Sequence, residues 1–263
     1  MGDHYVPKYY LRGFTSKIDG MIWTYEKGGT NKFQSDVKNT GHETNYYSPE
    51  VERYLANKIE DPANKVIEKI RGKREVTEQD KEILATYMVV MLKRVPRSRI
   101  MMKEMAPRVA QQQREEWDQI ISDSIDKHPD KTDLLKKRRA EIRNNLEKYS
   151  KNPPKDFWLS LIPPERSPNV INALYQMTWH FLMCDDPVFL TCDNPVYYFP
   201  WMGIGRPESE VTFPISSHIV LWATWRKDIK KGYSPIDKQA LREINCESAC
   251  NNDPPFGIIG IEN

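Results

Sequence analysis

The chain has no internal repeat, no low-complexity tract and no run of apolar residues approaching the length of a membrane span. The common fingerprints of nucleotide and hydrolase chemistry are missing as well. There is no G-x-x-x-x-G-K-S/T phosphate loop, no G-x-G-x-x-G turn, no H-E-x-x-H helix and no G-x-S-x-G elbow. Gly203-Ile204-Gly205 follows Trp201 but lacks the third glycine and a following helix. Most nucleoside-triphosphate and dinucleotide enzymes are excluded on these grounds. Cysteine is scarce: Cys184, Cys192, Cys246 and Cys250 all lie in the last third, none in the C-x-x-C spacing of a zinc site. No basic-then-apolar leader with a small-residue cleavage site is evident, so the expectation is a cytoplasmic protein with reduced thiols and no membrane partner. Net charge is nearly absent too, at +2 from 39 basic and 37 acidic side chains, so overall charge makes no case for nucleic acid.

What is present is a chain of 263 residues, 39% apolar and 29% charged, read as a single domain over residues 1–263. Its opening run, His4-Tyr5-Val6-Pro7-Lys8-Tyr9-Tyr10-Leu11-Arg12-Gly13-Phe14, is unusually bulky for a terminus and reads as one wall of a site. Met21–Glu26 reads as a strand, and the polar residues 27 to 45 as a loop or hairpin return. Ser48-Pro49 starts a helix with Val51, Leu55 and Ile59 on its buried stripe, and Pro62 is expected to kink or break it before it ends near Gly72. Thr77 to Asp80 resembles a capping box, and the wide stripe from Ile83 to Val95 predicts the central helix, bent at Pro96.

Residues 107–150 predict a projecting charged hairpin of helices turning at His128-Pro129-Asp130, with Thr132 capping the return arm. The charge of this hairpin is that of a solvated face, and it offers a surface for a protein partner. Phe157-Trp158-Leu159 anchors a proline-rich connection, and Ser167-Pro168 opens a helix expected to run past Phe181. Val188–Cys192 and Val196–Phe199 read as strands, Thr212–Trp222 as a turn feeding another, residues 237–250 as a short helix, and Phe256–Gly260 as a final strand. The fold class is α+β: a predominantly helical middle with a modest mixed or antiparallel sheet built from both chain ends.

Several separated pieces resemble the domain-of-unknown-function family number 4238. His4-Tyr5-Val6-Pro7 with Leu11 and Phe14 is similar to its H-Y-x-P…L-x-x-F signature, and Asn45-Tyr46-Tyr47 with Val51-Glu52 and Ile59-Glu60 to its tyrosine-then-glutamate helix. Arg94-Val95-Pro96 resembles its Arg-x-Pro step, Thr191-Cys192-Asp193-Asn194-Pro195-Val196 its T-S-D-N-P-V turn, and Phe213-Pro214-Ile215-Ser216 its F-P-L-S. Cys192 departs from the pattern, where serine is usual. The resemblance singles out residues and implies no reaction.

Asp193 exits an apolar strand, and Pro195 holds Asn194 extended, so the carboxylate is either a metal ligand or acid/base group, or the cap of an Asx turn. His4 is either a base, ligand or phosphate contact, or a buried histidine satisfied by the backbone. Glu52 and Glu60 lie about 12 Å apart on a straight helix, so at most one joins Asp193 around a single ion. The other is expected to bridge to Arg94 or Arg97. Arg12, Arg94 and Arg97 are the anion contacts, with Tyr5 and Asn194 as further substrate contacts.

The working expectation is a metal-assisted hydrolase of a phosphate-bearing substrate, nuclease- or phosphodiesterase-like. Its catalytic residues would be His4, Asp193 and Glu52, and its metal ligands Asp193 and Glu60. The cofactor is open, with a divalent ion (Mg or Mn) as the candidate. The alternative is a non-catalytic module that senses a nucleotide, a nucleic acid or a peptide.

Overall fold

The structure, a computed structural model, describes residues 2–16, 18–26, 29, 31–153, 158–160, 162–199, 201–229, 231–251 and 257–260. Phe157 and Phe256, expected as an anchor and a strand residue, lie outside the described residues. The chain divides into two compact units, residues 1–97 with 161–263, and residues 98–160.

In the first unit a short ladder pairs β1 (Asp3–His4) with β4 (His42–Glu43), and α1 (Lys8–Leu11) follows β1 directly. The polar stretch expected as a loop or a hairpin return is the return: its β3 (Lys32–Asp36) pairs antiparallel with β2 (Met21–Glu26). Ser48 accepts from the Val51 amide and starts α2 (Pro49–Tyr54). Pro62 does not break the helical path. A π-helical turn, Leu55–Glu60, joins α2 to α3 (Asp61–Arg71), with the Asp61 amide bonded to the Ala56 carbonyl five residues back. The wider turn leaves Pro62 in the first turn of α3, where it has no amide to lose.

Thr77 and Asp80 close a full capping box on α4 (Glu78–Arg94). This helix is buried on most of its circumference from Leu84 to Met91, as a central helix should be. Pro96 does not bend α4. Val95 turns extended, as a residue before proline prefers, so α4 ends at Arg94 and α5 (Pro96–Lys127) starts on the proline.

Helix α7 (Pro168–Gln176) stops short of its expected end. Thr178, Phe181 and Leu182 belong instead to β5 (Thr178–Met183), whose aromatic and β-branched residues suit a strand. The segment Thr212–Trp222, expected as a turn feeding one strand, holds parts of two: β8 (Glu210–Ser216) forms a hairpin with β9 (Ile219–Thr224). With β10 (Gly232–Pro235) and β7 (Tyr197–Tyr198) they make a five-stranded sheet in the order β10-β5-β9-β8-β7, antiparallel except between β10 and β5. A four-stranded sheet, β3-β2-β11-β6, joins the chain ends through β6 (Thr191–Cys192) and β11 (Gly257–Gly260). Helix α8 (Lys238–Asn251) is started by the Asp237 carboxylate, which accepts from the Ala240 amide. The α+β expectation stands, with sheets drawn from both ends of the chain.

The second unit consists mainly of the rest of α5 and of α6 (Thr132–Lys151), joined by a 3₁₀ turn at Pro129–Lys131. Thr132 is inside the helix, and its hydroxyl donates to the Pro129 carbonyl rather than capping α6. Asp118 ties the two helices together. It accepts from Arg143 at 2.6 and 2.9 Å, and its main-chain carbonyl accepts from Arg139 at 3.3 Å.

Candidate functional site

His4 sits opposite His42 across the short ladder, with ring centroids 5.3 Å apart. The ladder ends against Gly41, whose carbonyl accepts from both Tyr5 and Val6 amides at 2.9 and 3.1 Å. Gly41 has φ +66°, and a side chain there would come within 2.9 Å of Val6, so only glycine lets the two segments close. The His4 ring is buried, and its Nε2 has no hydrogen-bond partner among the described residues. Burial, then the charges of Lys8 and His42, lower its pKa against the pull of the Val37 and Lys38 carbonyls. His4 is therefore a neutral imidazole near neutral pH.

Arg94, the last residue of α4, is fully buried beside it. Its Nη1 donates to Glu60 Oε1 at 2.6 Å, its Nε to the Tyr47 hydroxyl at 3.2 Å, and its Nη2 to the main-chain carbonyl of His4. Tyr47 returns a bond to the Arg94 carbonyl, its ring faces the guanidinium at 5.6 Å, and its amide donates to Asp3 at 3.0 Å. Burial works against the charge on Arg94, but Tyr47 and Glu60 more than offset it and keep the guanidinium ionised. Burial pushes the Tyr47 phenol up to about 12 despite Arg94. Every nitrogen of the guanidinium is thus engaged within the protein. Arg94 is not the anion contact expected from sequence; it joins β1, the Tyr47 turn, the π turn and α4 into one unit. The expected carboxylate bridge is its bond to Glu60.

Glu52 lies in α2, about two helical turns before Glu60. Burial raises its pKa, Arg94 lowers it, Glu60 and Asp3 raise it further and Lys8 lowers it, leaving it above the ordinary value. Its Oε2 is buried without a hydrogen-bond partner among the described residues. Lys8 acts on both His4 and Glu52, and nothing in the sequence marked it beyond its place in the opening run.

The other half of the chain arrives through Asp193, which is buried at the exit of β6. The Tyr5 phenol is raised chiefly by burial and then by the Asp193 carboxylate, so the Asp193 turn acts on the residue next to His4. Asn251, at the end of α8, clamps that turn. Its amide donates to the Asn194 and Val196 carbonyls at 2.6 and 3.1 Å, and its oxygen accepts from Asn194 at 3.2 Å. Asn194 is thereby part of the turn's scaffold. Arg12 is exposed and Arg97 is partly buried in the first turn of α5. Among the described residues no three His, Cys, Asp or Glu side chains stand together as an ion's ligands, so the expected Asp193–Glu60 metal site gains no support.

A family model described as "Protein of unknown function (DUF4238)" matches residues 3–252. The chain belongs to this family. No curated protein and no solved structure matches it. The segments that resemble the DUF4238 pattern meet in space. The Tyr10 hydroxyl lies 2.6 Å from Thr191 Oγ1 and donates to the Pro214 carbonyl at 2.8 Å, while its ring stacks on Phe213 at 5.3 Å. Cys192, where the DUF4238 pattern usually has serine, donates its thiol to the Asn194 carbonyl at 3.2 Å, a bond that a hydroxyl would also make. Arg71 binds the Tyr10 and Ile215 carbonyls, each at 2.9 Å, and packs over Tyr9. No sequence signal distinguished it from any other basic residue at a helix end.

Proposed function

We propose that the corner formed by His4, Glu52 and Lys8 is the reaction centre of a hydrolase acting on a phosphate-bearing substrate, nuclease- or phosphodiesterase-like. The observation that carries this reading is that Lys8 acts on both His4, lowered in pKa, and Glu52, raised in pKa, and that each keeps a buried polar atom, His4 Nε2 and Glu52 Oε2, without a hydrogen-bond partner among the described residues. Groups whose environments move their pKa values in opposite directions are suited to dividing base and acid work. His4 takes a proton from the attacking water or hydroxyl, Glu52 returns one to the leaving oxygen, and Lys8 meets the anion. Arg94 positions His4 through its main-chain carbonyl and does not touch substrate. Asp193 acts on Tyr5 in the adjoining wall.

The test is hydrolysis of a generic phosphodiester and of DNA and RNA, with and without a chelator, by wild type, His4→Gln and Glu52→Gln. Both variants keep the main chain that Arg94 binds. Turnover that each variant lowers at least about a hundredfold, the size of a general acid or base effect, supports the assignment. Turnover untouched by both substitutions removes it. The second reading is a sensor in which the same corner holds a nucleotide, a nucleic acid or a peptide without turnover. It predicts ligand-induced stabilisation with the ligand recovered intact.

A further inference from the structure

A concavity of about 540 Å³ opens in the first unit where the start of α4 meets the β10 edge of the five-stranded sheet. That volume is within the range of small-ligand sites. Its wall is aromatic. Trp179 and Phe181 alternate onto one face of β5, and Tyr233 of β10 stacks on Phe181 with centroids 4.8 Å apart. These rings are fixed from behind: Trp179 donates to the Leu174 carbonyl at 2.9 Å, and the Tyr233 hydroxyl to the Arg74 carbonyl at 2.8 Å.

The rim is basic. Lys81, Lys231 and Lys73 line the opening, against Glu75 and Glu78. Lys81 lies over the Trp179 and Tyr175 rings at 5.4 Å and donates to the Met177 carbonyl at 2.7 Å. Glu78 accepts from the Tyr175 hydroxyl and still acts on Lys81. Lys81 is depressed by burial, raised by Glu78 and lowered again by Lys231 and Lys227, and of these two lysines Lys231 lines the same opening. Lys73 holds φ +54°, a left-handed conformation that favours glycine, although Gly72 precedes it. None of this belongs to the His4 corner.

We infer that this concavity is a binding site for a mononucleotide, a flat ring against Tyr233, which Phe181 backs, and a phosphate between Lys81, Lys231 and Lys73. An anion relieves the repulsion among the lysines, and a ring gains aromatic contact.

The test is titration of the full chain with AMP, with adenosine and inorganic phosphate as separate probes, followed by calorimetry and thermal shift. The expected result is stabilisation by AMP, weaker binding of either fragment, and about tenfold loss of AMP affinity in both Lys231→Gln and Lys81→Gln. Lys231 is exposed, so Lys231→Gln keeps the test valid if Lys81→Gln folds poorly. His4→Gln and Glu52→Gln should leave AMP affinity unchanged, which separates this site from the proposed reaction centre. No AMP binding at millimolar concentration overturns the inference. So does binding indifferent to Lys231→Gln, binding lost in His4→Gln, or adenosine or phosphate binding as tightly as AMP.

Discussion

Arginine meets carboxylate in both compact units, and the two meetings are built from the same groups in opposite surroundings. In the first, the Arg94 side chain is 1% exposed and bonded to Glu60, a tyrosine and a main-chain carbonyl. In the second, Asp118 gathers Arg143, Arg139 and Arg114 on an open helical surface, and Arg143 holds its carboxyl below the usual range. Water screens the second set and competes for every bond in it. The first set has no such competitor, so each partner depends on the others being present. Charge networks of similar appearance therefore do different work: one fixes the fold around a site, the other leans two helices together.

The largest effect should come from breaking the buried set. Arg94→Ala leaves Glu60 and the His4 carbonyl without their donor and is expected to cost about 3–5 kcal/mol in urea unfolding. Arg94→Lys should recover little, because one ammonium cannot reproduce three directed bonds. A cost under about 1 kcal/mol would dissolve the contrast between the units.

Burial without charge is isolated by Tyr10→Phe, which strands Thr191 and the Pro214 carbonyl and should cost about 1–3 kcal/mol. Smaller, and read by its pH dependence, is Glu52→Gln. The folded pKa of Glu52 is raised, so wild-type stability declines as pH climbs through the carboxylate range. The variant should be the more stable at pH 7, with the gain gone below about pH 4. His4 has the opposite sign: its folded pKa is lowered, so its contribution falls away as pH drops below about 6.5. Wild type minus His4→Gln should therefore grow between pH 5 and 7. The smallest effect belongs to Asp118→Asn, a slight fall in melting temperature that about 1 M salt abolishes.

Local chemistry was legible in the sequence wherever a side chain acts on its own neighbourhood. The Ser48 cap, the Thr77–Asp80 box and the helical hairpin are of that kind. A bridge from Glu52 or Glu60 to Arg94 or Arg97 was legible too, and packing selects Glu60 and Arg94. What could not be read were consequences of packing at a distance. Thr178 to Leu182 carry a pattern compatible with either helix or strand, and pairing with β9 and β10 decides it. Pro62 signalled a disturbance but not its form. Arg94 was expected to face an anion because sequence does not reveal that three acceptors from elsewhere already surround it. Lys8 and His42 entered the site through their neighbours in space.

The π turn at Leu55–Glu60 also sets a phase. Each residue of helix advances the side-chain direction by roughly 100°, so the extra residue it accommodates turns α2 by about that angle relative to α3. Glu60 points at Arg94 on the α3 side of this offset, while Glu52 takes its bearing from the other. Deleting a single exposed residue such as Asn57 would let a plain α-helix form, and Glu60 could stay on Arg94 while Glu52 swung away from Lys8 and His4. The two glutamates are therefore indexed against each other by one residue of chain length, a dependence that no single side-chain substitution would reveal.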